Sequence, residues 1–249
     1  YGNFYFGNWI DSDIGCSEDD YVGCDVSRGL SFQYNADAID DGCQNAIQGN
    51  PPAVGIDFIK GPLKDADGLD NPLTSDVNNA YNLGGIPYPG LGIGYGDGII
   101  DNERMGIQRF VYFDRTLFQT IYGDPQTTID FYNYMRGFWR NNTPFVYGGT
   151  GNVNDANATS IPTNYCFPGD SDPLNWATVS AGGDSVVPFA NWSEQFPTGI
   201  GGGNPNPQGD RRSLQSVGPF TFLPQDTIDV TFAVVYAKDT LSPDPYQSL

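Results

Sequence analysis

Histidine is absent from all 249 residues of this sequence. Its absence excludes a Ser-His-Asp triad, a Cys-His pair, an HExxH zinc site and an imidazole general base within the chain. Basic residues are scarce too: eleven Lys and Arg stand against thirty Asp and Glu, a formal net charge of -19. Contact with phosphate needs cations, so nucleic acid and anionic membrane surfaces are poor partners for this chain, and cations are natural ones. Methionine occurs twice. No apolar run is long enough to span a bilayer, so no membrane insertion is expected. The opening "YGNFYFGNWI" shows no signal peptide and starts within a strand pattern, as a processed or excised piece of a longer protein does.

What is present is glycine, proline and aromatic residues: 32 Gly, 19 Pro and 14% Phe, Trp and Tyr. That composition suits a loop-rich β-protein better than a helical one. The expected fold is mainly β, a jelly-roll-like β-sandwich in one domain over 1–249, with long Gly/Pro/Asn-rich loops at about 71–96 and 141–209. Alternating apolar positions predict strands at Phe4 to Ile10, in "YVGCDVSRGLSFQYN" and "PPAVGIDFIKGPL", in "MGIQRFVYFD", and in a closing hairpin of "SLQSVGPFTF" and "TIDVTFAVVYA". In that last run Ile228, Val230, Phe232 and Val234 face one way. One short α-helix is expected near 125–137, with Asp124 as N-cap, Pro125 in the first turn and Gly137 as stop. Its Phe131, Tyr134, Met135, Phe138 and Trp139 read as core packing.

The run "WIDSDIGCSEDDYVGCD" places Asp11, Asp13, Glu18, Asp19, Asp20 and Asp25 among apolar residues and two cysteines. Carboxylates so close repel unless a cation sits among them, and a hard, oxygen-seeking ion such as Ca2+ is the first candidate. Two further clusters share a DG…DN core: "KDADGLDNP", with Asp65, Asp67, Asp70 and Asn71, and "YGDGIIDNERMG", with Asp97, Asp101, Asn102 and Glu103. Short oxygen-bearing side chains around a glycine are what a calcium loop requires. Neither segment has the spacing of an EF-hand. The expected metal ligands come from Asp11, Asp13, Asp19, Asp20, Asp25, Asp65, Asp67, Asp70, Asp97, Asp101 and Glu103, with the alternative that Asp25 holds a turn.

The four cysteines form no CxxC pair, and without His they lack the usual zinc arrangement. Disulfides of an exported protein are the expectation. Of three connectivities, Cys16 with Cys43 and Cys24 with Cys166 is favoured; free buried thiols are the alternative. Trp176, Trp192, Tyr88 and Tyr147 lie in Gly-rich loops, where they either stack on sugar rings or pack their own loops. A carboxylate-pair hydrolase is the surviving catalytic option, although no motif singles out a pair. No catalytic residue is therefore assigned, and the chain is read as a non-enzyme. Asn141, Asn157 and Asn191 match the N-glycan sequon.

In chain order, "WIDSDIG…DDYVGCD", "NPPAVGIDFIKGP", "DGLDN", "DGIIDNE", "YNYMRGFWRNNTPFVYGG", "CFPGDSDPLNW" and "DRRSLQSVGPFTF" resemble a region of large secreted proteins of Bacteroidota. The resemblance implies export by the type IX secretion system, with the C-terminal sorting domain outside this sequence. It implies acidic loops at Asp11, Asp13, Asp19, Asp20 and Asp25 and at Asp97, Asp101 and Glu103. In similar sequences the DGxDN and DGxxDxxE parts are nearly contiguous, whereas here Pro72 to Gly96 separates them. Cys16 and Cys43 look particular to this chain, as an added cross-link. Such bacteria also modify Asp-Ser/Thr-aliphatic sequons, which makes Ser185, Thr227 and Thr240 O-glycan candidates. The expected role is a calcium-stabilised extracellular structural or adhesive module, secreted or on the cell surface. It is expected to build filaments with its own copies or to pack on neighbouring domains, with glycan binding as the alternative.

Overall fold

The computed structural model describes residues 1–47, 49–72, 93–117, 119–171, 191–199 and 203–241. The chain is mainly β and sandwich-like. Its strands are β1 (Phe4–Ile10), β2 (Asp20–Asp25), β3 (Leu30–Asn35), β4 (Ala53–Lys60), β5 (Arg109–Asp114), β6 (Val146–Gly148), β7 (Ala158–Pro162), β8 (Arg211–Phe220) and β9 (Thr231–Ala237). The α-helix described, α1, is Thr128–Arg136. One sheet has the order β1-β8-β5, a second β2-β3-β4-β9, and β6 with β7 forms a small third. All named pairings are antiparallel.

The core lies where the first two sheets meet. Val22 and Cys24 of β2, Phe58 of β4, Phe110 and Val111 of β5, and Leu214 and Val217 of β8 belong to one buried cluster. Removing a large side chain from such a cluster costs about 3–5 kcal/mol. Gln215 of β8 ties the layers with a polar contact, its Nε2 donating to the Ile56 carbonyl at 2.7 Å and to Ser31 Oγ. Helix α1 packs on β8, β1 and β5 of the first sheet, with Tyr134 stacked on Phe113 at 5.4 Å.

Several expectations are corrected. Strand β1 joins no opening hairpin but pairs with β8, more than 200 residues later; only β2, β3 and β4 form a meander. Helix α1 starts later than Asp124: Thr127 is its N-cap, and Asp130 completes a capping box that satisfies the first N–H groups reciprocally. Gly137 does end it, at φ 89, a conformation that costs a side-chain-bearing residue energy. Phe131 of its aromatic set is exposed, while Tyr134 and Trp139 are fully buried.

The predicted closing hairpin does not form. Both edges of β8 are occupied, by β1 and β5, so the chain crosses over and β9 adds to β4 in the other sheet. Ile228 and Val230 pack on the core, whereas Phe232 and Val234 are exposed. The stretch 141–209 is more than exposed loop. Among its described residues Phe145, Tyr147, Tyr165, Cys166, Phe167 and Trp192 are core. Residues 164–166 also hydrogen-bond to the free edge of β5 through Phe110. Glycine-rich turns hid this, because the apolar residues between them follow no strand or helix period.

Candidate metal centre

The register of β1 with β8 creates the site. Ile10 lies opposite Ser213, so the loop leaving β1 faces the residue that precedes β8. Carboxylate oxygens of Asp11, Asp13 and Asp210 there lie within 4.8 Å of one another, the one such group among the described residues. Asp11 and Asp13 are exposed and Asp210 is buried. An ion between them has two surface ligands and one fixed to the sandwich.

The loop is braced from three sides. Ile14 is buried and its N–H donates to Asp20 Oδ2 at 3.2 Å. Gly15, at φ 71, packs so closely on Asp40 that a Cβ would lie 1.8 Å from its Oδ2, so no other residue fits. Cys16 donates its N–H to Asp40 Oδ1 at 2.8 Å and forms a disulfide with Cys43.

Two arginines share this corner. Arg212 Nε lies 3.1 Å from Asp11 and 3.9 Å from Asp210 Oδ1, and its Nη1 lies 2.6 Å from Asp124. Arg115 Nη1 lies 3.6 Å from Asp210 Oδ2. Four carboxylates (Asp11, Asp13, Asp124 and Asp210) against two guanidinium groups leave two negative charges uncompensated. Burial, and then the charge of Asp11, push the Asp13 carboxyl above the usual range, against Arg212 and Arg115. Burial likewise raises Asp210, with Arg212 opposing and Asp13 and Asp11 adding to it. Asp210 Oδ1 accepts no hydrogen bond from the described residues. The donor set is hard oxygen with negative charge in surplus, which fits calcium or magnesium and not a soft metal.

The other predicted ligands go elsewhere. Asp25 closes the β2–β3 turn, accepting from Ser27 Oγ at 2.6 Å and Arg28 N–H at 3.0 Å and pairing with the Arg28 guanidinium. Asp19 is buried and accepts from Asp41 N–H at 3.0 Å; burial pushes its carboxyl up to about 6. Asp65 accepts from the Thr221 N–H and hydroxyl, both at 2.7 Å.

The two DG…DN loops clasp one another across the insertion that separates them. Asp101 Oδ1 accepts from the N–H groups of Asp67 and Gly68, at 2.8 and 2.9 Å. In return, Asp70 accepts from those of Gly96 and Gly98, at 2.8 and 2.7 Å. Asp67 and Asp97 each take the amide of the asparagine that follows, Asn71 and Asn102. Glu103 accepts from Asn71 N–H at 2.6 Å. These carboxylates serve backbone and side-chain amide donors, and among the described residues they do not converge as the first group does.

The predicted Cys24–Cys166 disulfide is absent. Both are buried thiols outside any disulfide, and Cys24 Sγ points at the Cys166 carbonyl oxygen at 3.4 Å. Trp192 and Tyr147 are fully buried, 5.0 Å apart, so neither offers a face to a sugar. Trp176, Tyr88 and Ser185 lie outside the described residues. Asp210 carried no signal in the sequence. It belongs to no acidic run and is flanked by Gly209 and two arginines.

No helix among the described residues is long and apolar enough to cross a membrane. Comparisons with family models, curated proteins and solved structures gave no match to this chain.

Proposed function

We propose that this chain is a calcium-stabilised structural or adhesive module of a secreted or cell-surface bacterial protein, without catalytic activity. The convergence of Asp11, Asp13 and Asp210, brought from opposite ends of the sequence with uncompensated negative charge, carries the reading. Calcium there bridges the β1 exit to the start of β8 and removes carboxylate repulsion, so that metal binding and folding are coupled. The Cys16–Cys43 disulfide suits an oxidising compartment, as does the resemblance to exported Bacteroidota proteins.

Assembly with further copies belongs to the same reading. Strand β9 has no partner on its outer side among the described residues, and Phe232, Val234, Val235 and Tyr236 are exposed on it. An edge of this kind accepts a strand from a second copy. Chelation is expected to lower the melting temperature and added calcium to restore it; a melt indifferent to excess chelator refutes the metal reading. Imaging of the purified chain at high concentration, with filaments or only single particles, tests assembly.

A further inference from the structure

Beneath the loop that carries Asp11 and Asp13, the inner face of β2 and β3 holds three polar side chains shut off from solvent. Asp20 and Asn35 are fully buried and Gln33 is 2% exposed. Asp20 pairs with Asn35 and Val22 with Gln33 across the ladder, so the three project from one face at neighbouring positions. Each has one polar group already engaged. Asp20 Oδ2 accepts from Ile14 N–H and from Gln33 Nε2, the latter at 2.7 Å. Asn35 Nδ2 donates to the carbonyls of Asp37 and Ile39, at 2.9 and 3.4 Å.

What remains is Asp20 Oδ1, Gln33 Oε1 and Asn35 Oδ1, three buried oxygens with no hydrogen-bond partner among the described residues. The acceptors met by each amide nitrogen fix the amide orientations, so neither side chain can be turned to offer an N–H instead. A buried acceptor left unsatisfied costs about 1–3 kcal/mol, and acceptors cannot relieve one another. Only a donor or a cation can. One carboxylate and two amide oxygens are a hard donor set, of the kind that calcium takes with water completing its shell.

We propose that Asp20, Gln33 and Asn35 form an inner calcium site, separate from the centre at Asp11, Asp13 and Asp210. Asp20 lies outside the group whose oxygens all approach within 4.8 Å, so it does not share one ion with all three. The competing arrangement is a neutral one. Burial pushes the Asp20 carboxyl up to about 8, with Asp19 and Asp13 adding to the rise, and a proton held there can be donated to one of the amide oxygens.

Calcium titration of the chelator-stripped chain by calorimetry separates the two. The wild type is expected to take up two ions, D20N one and D210N one. A single ion lost in D20N but kept in D210N supports the inner site and removes the outer centre. A single ion kept in D20N, or lost in both variants, overturns the inner site, and so does a wild type that binds none. Where D20N fails to fold, native mass spectrometry of the wild type and D210N gives the same count. Two ions falling to one supports the proposal, and a D210N protein without calcium overturns it.

Discussion

Ile10 stands opposite Ser213 in the β1–β8 ladder, and this one register sets Asp11 and Asp13 against Asp210. A shift by one residue turns every side chain of β1 to the other face and dissolves the group. The centre is therefore a property of the closed sandwich, and its loss is readable as a change in stability.

Asp210→Asn keeps the shape and removes one ligand charge. With calcium at about 100 times its Kd, binding to the folded state contributes about 2.7 kcal/mol. For a chain of this length that is a rise in Tm of roughly 5–11 °C. Calorimetric melts with and without calcium are expected to show this rise in the wild type and only part of it in D210N. An undiminished rise in D210N places the ion elsewhere.

Among the described residues, Arg211 is the one cation of a buried network. Its Nε lies 3.1 Å from both Glu194 oxygens, its Nη2 lies 2.8 Å from Glu194 Oε2, and its Nη1 pairs with Asp114. Burial raises Glu194, and Arg211 opposes the rise. Arg211→Met leaves two buried carboxylates without a counter-charge, at an expected cost of about 3–5 kcal/mol in urea unfolding. Arg211→Lys cannot reproduce the fork and is expected to recover only part of it. A loss below about 1 kcal/mol in R211M contradicts this account.

Alkaline pH is expected to destabilise the chain through its tyrosines. Burial pushes Tyr21 and Tyr95 from 10.0 up to about 12. Because the folded value lies above the unfolded one, their contribution is complete below about pH 10 and is lost as pH rises toward 12. Urea midpoints should fall between about pH 9 and 11, together with a late rise of tyrosinate absorbance. In Tyr21→Phe the fall should be smaller, and the hydrogen bond from the Tyr21 hydroxyl to the Asn206 carbonyl is removed as well. A midpoint unchanged between about pH 9 and 11 rejects the idea.

The Cys16–Cys43 bridge closes a loop with a sequence separation of 27 and braces the Asp11–Asp13 turn. Loop-closure entropy alone assigns it about 3–4 kcal/mol. The double variant Cys16→Ser, Cys43→Ser is expected to lose about 2–5 kcal/mol in urea and to bind calcium more weakly. Unchanged calcium affinity in that variant separates the brace from the site.

Much of the β-framework was legible in local pattern. Alternation along "FYFGNWI" and "AVGIDFIK" marked β1 and β4, Gly137 marked the helix end, and Cys16 with Cys43 proved the right pair. The acidic run was legible as chemistry, yet its members parted company. Asp11 and Asp13 reach a common point, Asp25 holds a turn, and Asp20 is sealed inside. Nothing local distinguishes these fates, since each carboxylate carries the same charge and the same short stem. Asp67, Asp70, Asp97 and Asp101 looked like ligands because Asp beside Gly suits a metal loop and an Asx turn equally well.

By itself the sequence determined the class of fold, through periodicity and turn chemistry, and a surplus of carboxylate over basic groups with no imidazole. Only the tertiary structure decided which oxygens meet. Asp210 joins Asp11 because two strands from opposite ends of the chain lie side by side. Asp20 is shut off from solvent because the sheet it sits on is covered. Both depend on contacts between residues far apart in sequence, and local pattern holds no information on those.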